Sequence, residues 1–392
     1  MFKKSALAVV IASAFALPAH ADIKNVDIYG QIAISAWSGA DYATQKNADG
    51  SYDNAVKVDN ESRIGLRGSK DFTNGPKFIW QIESGDVGDS GETGKFGVRD
   101  TFGGFEWEGI GKVRAGRMLT PLYELVDWPY SSIAAGKVFD WGGDIVGGAN
   151  YDRQSNMVRF DSAKYSGFSY NVAIGRGNAE SDASSNFYGL GAHYNNGPLT
   201  LHAAYERGND RAVSDSKDKA YRYLQNLGGK YTKNFDITQA GYSDTDAYLL
   251  GFELNFDNGL GFYGAWKSSK AKYDKVKIGE LDANGKPSTT SQHYSLSEIE
   301  QDSYSLGAIY NYEKWQFKVA YAANMKPEYQ SEGFSGSVSE FSDSLLSGQI
   351  MYFLDDSAVT YLRPYQLQRR GAGQVQDGDK EFGIGAGVEY YF

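Results

Sequence analysis

The stretch that most resembles a catalytic motif is Gly-Asp-Ser-Gly at residues 88–91, a serine between small residues of the kind that hydrolases use as a nucleophile. Glu92 follows where a serine protease has another glycine. Beyond the N-terminal 21 residues the first histidine is His193, so the general base that would activate Ser90 is missing in the expected order. We therefore do not expect a serine protease.

Two histidines could hold a metal ion if neighbouring strands bring them together. His193 and His202 flank a predicted turn at 195–197, and on strands joined by that turn both side chains point to one face. A zinc site needs further ligands and supporting partners, and the sequence offers neither for this pair. Residues 282–285 resemble the start of a calcium loop but lack its closing glutamate. We expect no metal and no cofactor, and interpret both histidines as polar wall residues.

The N-terminus has the pattern of a secretory signal peptide. Lys3 and Lys4 precede an apolar run at 6–17, and Pro-Ala-His-Ala at 18–21 is a small-x-small cleavage pattern. A membrane-spanning helix needs roughly 20 apolar residues, more than this run provides. We expect a signal peptide at 1–21 and one mature domain at 22–392.

The composition excludes several classes of protein. The chain contains 47 glycines, 29 tyrosines and 21 phenylalanines but only 8 prolines and no cysteine, so disulfides and thiolate chemistry are absent. Acidic residues outnumber basic ones, 49 to 39, and no basic tract could follow a phosphate backbone, which argues against nucleic acid as a partner. No apolar run after Leu17 is long enough for a membrane helix, so a membrane-spanning mature chain would have to be a β-barrel.

Apolar and polar residues alternate most clearly in the last twelve residues, 381–392. Such alternation is typical of a strand with one face toward lipid and one toward a polar lumen. The apolar face carries Phe382, Ile384, Ala386, Val388, Tyr390 and Phe392, and the other face carries Glu381, Gly383, Gly385, Gly387, Glu389 and Tyr391. Residues 26–35 alternate in the same way, so the first and last strands are predicted to pair and close a barrel.

Short and long connections alternate along the rest of the chain. Turn-forming residues predict seven tight turns, at 73–75, 109–111, 166–167, 195–197, 257–259, 313–314 and 355–357. Eight long connections rich in Gly, Ser, Asp and Lys lie near 38–57, 85–96, 119–150, 178–186, 209–246, 274–302, 325–343 and 370–380. Together they predict sixteen antiparallel strands, with eighteen as the alternative because 209–246 could hold extra structure. Barrels of this size enclose an aqueous channel.

These features resemble the general diffusion porins of Gram-negative outer membranes, and the resemblance covers essentially the whole mature chain. The matching motifs are Val-Asp-Ile-Tyr-Gly at 26–30, Ser-Arg-Ile-Gly-Leu-Arg-Gly at 62–68, Ala-Gly-Arg at 115–117, Thr-Pro-Leu-Tyr at 120–123, the stretch 156–165 and the terminal Tyr391-Phe392. The family implies an all-β transmembrane barrel of sixteen strands, a homotrimer, and a third long loop that folds into the lumen. It also implies that Phe392 is the signal read by the barrel-insertion machinery.

The resemblance implies a pore constriction with an acidic side on the third loop. Phe-Asp-Trp-Gly-Gly-Asp at 139–144 is similar to the family's inward-folded loop tip, which carries two carboxylates. Asp140 and Asp144 are therefore the main acidic candidates, followed by Asp127 and Glu124. The alternative is that these are ordinary solvated loop carboxylates.

The alternation of inward and outward positions along a strand, here called its parity, predicts which residues form the basic side of the constriction. Five arginines fall on the predicted lumenal face: Arg63 and Arg67, opposite Ile64 and Leu66; Arg99, opposite Val98 and Phe102; Arg159, opposite Val158 and Phe160; and Arg153, if its strand extends that far. Arg63, Arg99 and Arg153 stand at the family's arginine-cluster positions, whereas Gln31 replaces a frequent lysine. Parity places Arg117 outside the lumen, as a loop or subunit contact. Some of these arginines could instead pair with loop acids and pin the loop.

We thus expect a porin in the outer membrane of a Gram-negative bacterium. It would let small hydrophilic solutes and ions diffuse passively, with a mild cation preference, and would contact lipopolysaccharide and other outer-membrane lipid. The first alternative is a substrate-specific channel. A barrel enzyme is a more distant alternative, because no Ser/His or Asp/His pair lies outside the lumen.

Overall fold

In the computed structural model, most of the described residues lie in β-strands. The structure describes residues 25–39, 55–85, 87, 95–131, 138–140, 153–176, 185–213, 235–239, 241–280, 293–325, 327–331, 334–337, 342–368 and 380–392. The predicted signal peptide and Asp144 lie outside these residues. No helix within them is both long enough and apolar enough to cross a membrane.

The described residues contain 21 strands in one antiparallel arrangement. Those of the first half are β1 (Val26–Gly39), β2 (Ala55–Asn60), β3 (Arg63–Asp71), β4 (Lys77–Ser84), β5 (Phe96–Trp107), β6 (Gly111–Leu119), β7 (Arg153–Ser162), β8 (Phe168–Arg176), β9 (Asn186–Asn196) and β10 (Leu199–Val213). Those of the second half are β11 (Phe235–Gln239), β12 (Gly241–Asn255), β13 (Leu260–Asp274), β14 (Lys277–Glu280), β15 (His293–Tyr312), β16 (Trp315–Asn324), β17 (Glu328–Ser331), β18 (Phe334–Ser337), β19 (Ser344–Phe353), β20 (Ala358–Gln368) and β21 (Lys380–Tyr391).

Sixteen spanning strands form a closed barrel. Strands β2 and β3 both pair with β1 and together act as one spanning strand, interrupted at Glu61 and Ser62. The short strands β11, β14, β17 and β18 extend one side beyond the ring. The ring closes where β21 pairs with β1, from Gln31 opposite Tyr391 to Gly39 opposite Gly383. The prediction of a sixteen-stranded antiparallel barrel is therefore confirmed.

All seven predicted tight turns connect neighbouring strands at one end of the barrel. The turn between β19 and β20 shows the local chemistry. The backbone N–H and the hydroxyl of Ser357 donate to Asp355 Oδ1 at 2.7 and 2.9 Å. These hydrogen bonds lower the pKa of the Asp355 carboxyl because they stabilise its charged form.

Exposure alternates along the spanning strands as the barrel requires. In β21, Phe382 is 66% exposed on the outer face, whereas its neighbour Glu381 is 5% exposed on the inner face. Phe102 does not lie on the outer face, where the alternation predicted it. The register of β4 against β5 shifts between Ile82 and Ser84, so Val98 stays outside while Phe102 turns inward and packs against Met118 and Met157. The prediction that Val98 and Phe102 share one face was therefore wrong, because a bulge adds residues to β5.

The third long connection begins with a short helix against the inner wall. Helix α1 (Pro121–Leu125) is capped by Thr120, whose hydroxyl accepts from the Tyr123 N–H at 3.2 Å, and proline at the first helical position suits this start. Pro121 lies so close to Gly189 that a Cβ there would come within 2.9 Å of it. A five-residue π-helical turn, Val126–Tyr130, continues from α1.

Apolar and polar contacts together attach this connection to inward-facing side chains. Its buried residues Leu122, Leu125, Val126, Tyr130, Val138 and Phe139 form one cluster with inward residues of β10, β12, β13, β16, β19 and β20. Ser305 donates to the Tyr130 carbonyl at 2.6 Å, and Asn324 donates to the Val138 carbonyl at 2.9 Å. The Lys267 ammonium donates to the carbonyl of Phe139 and lies 4.7 Å from the centre of its ring. Lys267 is 1% exposed, and these contacts help to stabilise its buried charge.

We predict that Lys267→Met will loosen residues 138–140. A charged hydrogen bond contributes about 1.5–3 kcal/mol, so the undocked fraction of this segment should rise about tenfold or more. Limited proteolysis of the folded protein in detergent, with cleavage sites mapped between 120 and 152, measures this fraction. The matched control is Lys272→Met on the same strand, which lies on the outer face and is exposed. Equal cleavage rates in the two variants would contradict the anchoring role of Lys267.

Candidate functional site

The described acidic candidates of the third connection differ in exposure and partners. Glu124 on α1 is half exposed, and Asp127 in the π-helical turn is exposed. Asp140 is partly buried, and its carboxylate accepts from the Tyr123 hydroxyl at 3.3 Å. Lys267 Nζ lies 3.5 Å from the Asp140 carbonyl, so the wall holds the backbone of this residue. The fourth candidate, Asp144, lies outside the described residues.

Arg159 joins this connection to the barrel wall. Its guanidinium pairs with Glu124, with Asp161 at 2.7 Å and with the Leu119 carbonyl at 2.9 Å. The Arg159 side chain is only 3% exposed, so its charge is largely satisfied by these partners. Arg114 adds a second guanidinium to Asp161 at 2.7 Å. This geometry corresponds to the alternative in which an arginine pins the loop.

Arg99 and Arg153 each have a carboxylate partner on the wall. Arg99 Nε lies 2.5 Å from Glu83 Oε1, and the Tyr29 hydroxyl donates to the same carboxylate at 2.7 Å. Arg153 Nε lies 2.5 Å from Asp100 Oδ1. Both pairs are partly buried, where an unpaired charge would be costly. The basic wall is therefore partly neutralised by neighbouring acids.

The two arginines of β3 stand in different surroundings. In the amide orientation that satisfies both groups, Gln31 Oε1 accepts from Arg63 Nη2 at 3.0 Å. Arg67 lies nearer the short-turn end, exposed, 3.6 Å from Asp27 and with its guanidinium carbon 4.8 Å from the centre of the Tyr29 ring. Arg63 thus has a neutral side-chain partner, whereas Arg67 belongs to an exposed ion pair.

Arg117 lies on the outer face. Its Nε donates to the Val98 carbonyl at 2.6 Å, and its Nη1 donates to the Ser155 hydroxyl at 3.0 Å. These contacts connect the outer surfaces of β5, β6 and β7 near the start of the third connection.

Sequence reasoning missed several inward-facing charges. The acids Glu83, Asp100 and Asp161 complete the arginine pairs described above. Across the lumen, Arg363 donates to Gln349 at 2.6 Å and lies 3.5 Å from Glu389. Lys318 Nζ lies 4.9 Å from the centre of the exposed Trp128 ring. Strand parity could have identified Glu83, Asp161, Lys318 and Arg363, because each alternates with outward apolar residues.

Inward-facing aromatic rings cover glycines on the seam between β1 and β21. The rings of Trp37 and Tyr365 lie 6.1 Å apart and cover Gly385 and Gly383. The Tyr361 ring covers Gly387 in the same way and stacks 3.6 Å from the Arg363 guanidinium carbon. These rings form an aromatic strip on the inner wall, in which Tyr361 and Tyr365 are buried and Trp37 is partly exposed. No group of three or more His, Cys, Asp or Glu side chains within the described part of the chain is arranged to hold a metal ion.

Known proteins are similar in sequence to this chain over almost its full length. A family profile described as Gram-negative porin matches residues 6–372. The chitoporin of Vibrio furnissii is 34% identical over 411 aligned residues, which cover 100% of this chain and 99% of that protein.

Solved structures share the fold at low sequence identity. An anion-selective porin from Comamonas acidovorans superposes with a TM-score of 0.65 at 18% identity, covering 94% of this chain and 99% of that one. The trimer form of OmpT, an outer membrane protein of Vibrio cholerae, gives a TM-score of 0.61 at 14% identity, covering 94% and 99%. The profile match, the full-length relative and the closed sixteen-stranded barrel agree, and we conclude that this chain belongs to the Gram-negative porin family and is an outer-membrane channel protein.

Proposed function

We propose that this porin lets small hydrophilic solutes and ions diffuse passively through a lumen narrowed by the third connection. The observation that carries the proposal is the attachment of residues 120–131 and 138–140 to the inner wall. A barrel of sixteen strands would otherwise leave a wide aqueous channel. The relatives of this chain are porins, in keeping with passive transport.

The charges at this level support selection by charge and dipole. Asp140, Asp144, Asp127 and Glu124 form the acidic side of the proposed constriction, and Arg63, Arg99 and Arg153 form the basic side. Opposed charges across a narrow, partly desolvated gap orient water and dipolar solutes. Glu83 and Asp100 neutralise two of the three arginines, whereas Asp127 is exposed. This imbalance, together with Gln31 in place of a lysine, favours a mild cation preference.

Similarity to the chitoporin supports a second candidate, a channel with a preference for chitin-derived oligosaccharides. The observation that favours it is a pair of tryptophans, Trp37, which is partly exposed on the inner wall, and Trp128, which is 61% exposed on the third connection. Aromatic faces offer apolar surface to the C–H groups of a sugar ring, while nearby charged groups can bind its hydroxyls. Such a channel would bind its solute before releasing it.

The outer surface has two sides with different chemistry, and we assign a different partner to each. At the long-connection end, the outer face of β21, β2 and β5 carries the highly exposed apolar residues Phe382 (66%), Val56 (73%), Val58 (61%) and Phe96 (65%). A large apolar patch at the long-connection end of the barrel suits a protein partner. We assign this side to contacts between copies in a homotrimer.

The outer face of β10 to β15 carries charges at the same end. Arg207 lies 3.3 Å from Asp246, and Lys270 lies 2.6 Å from Glu298 and 3.2 Å from Glu300. The cations Arg207 and Lys270 suit the anionic headgroups of lipopolysaccharide at the membrane boundary, so we assign this side to outer-leaflet lipid. The exposed terminal ring of Phe392 remains our candidate signal for the barrel-insertion machinery.

The constriction assignment predicts a change in ion selectivity. Asp140→Asn combined with Asp144→Asn should lower the ratio of cation to anion permeability about twofold to fourfold in salt of about 0.1 M. At this ionic strength a unit charge about 10 Å from an ion changes its local concentration about 1.3-fold, and two such charges act on cations and anions in opposite directions. Reversal potentials in a salt gradient across planar bilayers give this ratio. Asp257→Asn, in a tight turn at the barrel end, is the control. An unchanged ratio in the double variant would remove these carboxylates from the constriction.

The oligosaccharide candidate predicts saturable block of the ion current. Chitohexaose should interrupt single-channel current in wild type, and Trp37→Ala should weaken binding about three- to tenfold, since an aromatic contact contributes about 0.5–1.5 kcal/mol. Trp107→Ala, on the outer face, should bind as wild type does. The candidate fails if chitohexaose blocks no better than maltohexaose.

The trimer assignment predicts that Val58→Arg dissociates the trimer. An arginine buried without a partner costs about 3 kcal/mol or more, and threefold symmetry repeats that cost at every contact. Light scattering of the detergent-solubilised protein measures the oligomer. The matched variant Tyr242→Arg is also at the long-connection end and on the outer face, but on β12, and should remain trimeric. Trimers of undiminished stability in Val58→Arg would place the contact elsewhere.

A further inference from the structure

Four polar side chains form an unbroken chain of contacts across β8, β9, β10 and β12 on the inner wall. Asn171 Nδ2 lies 3.4 Å from His193 Nε2, and His193 Nδ1 lies 2.8 Å from His202 Nδ1. His202 Nε2 lies 3.0 Å from Glu253 Oε1. The two histidines are direct cross-strand partners, and the His202 side chain is 10% exposed. Neither histidine belongs to the constriction described above.

The hydrogen-bond partners of each histidine nitrogen determine where the hydrogens lie when both imidazoles are neutral. A carboxylate only accepts, so His202 Nε2 carries a hydrogen that it donates to Glu253. The Nδ1 of a neutral His202 is then an acceptor, and His193 Nδ1 must donate to it. His193 Nε2 is left as an acceptor for the Asn171 amide N–H. In this state both imidazoles are neutral and Glu253 carries the one negative charge.

The cluster of Asn171, His193, His202 and Glu253 can take up one proton without losing a hydrogen bond. With His202 protonated on both nitrogens, its Nδ1 donates to His193 Nδ1, and His193 Nε2 then carries a hydrogen that needs an acceptor. Asn171 Oδ1 is buried and makes no hydrogen bond, so rotation of the amide group would supply that acceptor. A second proton would set two N–H groups against each other at the 2.8 Å contact. The cluster is therefore built to take up a single proton.

Charged and aromatic groups of the third connection and β7 surround this cluster. The Tyr130 ring meets the His202 ring edge to face at 6.1 Å, and Glu124, Arg159 and Asp161 are close enough to His193 to interact electrostatically. Arg159 and Arg114 together neutralise Glu124 and Asp161, so the charge of Glu253 is the one that protonation would cancel.

We propose that the His193–His202 pair makes the ion selectivity of this channel depend on pH. Uptake of one proton changes the net charge of the four-residue cluster from −1 to zero on the wall beside the third connection. Loss of that negative charge lowers the local concentration of cations and raises that of anions in the lumen. This inference rests on the proposed function as an ion-conducting channel.

The test is the permeability ratio in planar bilayers at about pH 7.5 and about pH 5.5, an interval that spans ordinary histidine titration. In dilute salt, where screening is weak, the ratio of cation to anion permeability of wild type should fall about twofold at the lower pH. The double variant His193→Gln with His202→Gln should show no such fall. His293→Gln, which removes the histidine of β15, is the matched control and should behave as wild type.

A further variant addresses the proton acceptor itself. Asn171→Leu leaves both histidines in place but removes the amide N–H that serves the neutral state and the amide oxygen that serves the protonated state. A buried N–H of a charged imidazolium without an acceptor costs more than an unfilled neutral acceptor, so the fall in permeability ratio over this interval should shrink. A wild-type ratio that does not change with pH, or a double variant that changes as wild type does, would overturn the inference. Absence of conductance at either pH would instead reject the proposed channel function, so the two failures are distinguishable.

Discussion

Backbone hydrogen bonding is the constraint on which this structure depends. A chain surrounded by lipid has no water to satisfy its N–H and C=O groups, so every spanning strand needs two neighbours. The pairing of β21 with β1 meets this demand by closing the ring. Closure separates an outer from an inner surface, and the two-residue period of a strand then assigns each side chain to one of them. The lumenal chemistry of the protein follows from this division.

Side chains become buried inside the barrel because glycines of the wall let them approach closely, as well as because they are apolar. Tyr130 packs over Gly251 and Pro121 packs over Gly189, positions where a Cβ would collide with the third connection. The aromatic residues Trp37, Tyr361 and Tyr365 occupy the space above glycines of β21 in the same manner. Inward glycines thus define where rings and the third connection can reach the wall, which explains why an aqueous barrel still contains a packed apolar cluster.

The sequence predicted the features that local patterns determine. Turn residues located all seven tight turns, and alternation in 381–392 and 26–35 identified the closing pair. Phe102 was misplaced because a bulge in β5 changes parity without leaving a simple sequence signal. The partners of Arg99 and Arg153 were not predicted, since Glu83 and Asp100 become neighbours only through the register of strands. Contacts that depend on register cannot be read from alternation alone.

Charged groups that hold the structure together are buried, whereas those facing the lumen stay exposed to solvent. Arg159 and Lys267 are almost fully buried, and their hydrogen bonds attach the third connection to the wall. Replacing either would change the shape of the lumen as well as its charge. Asp127 and the half-exposed carboxylate of Glu124 remain in contact with solvent. Because the buried cations bind the backbone around 119 and 139, the nearby carboxylates are held at the surface of the inner wall while staying hydrated, as the proposed charge-selective passage would require.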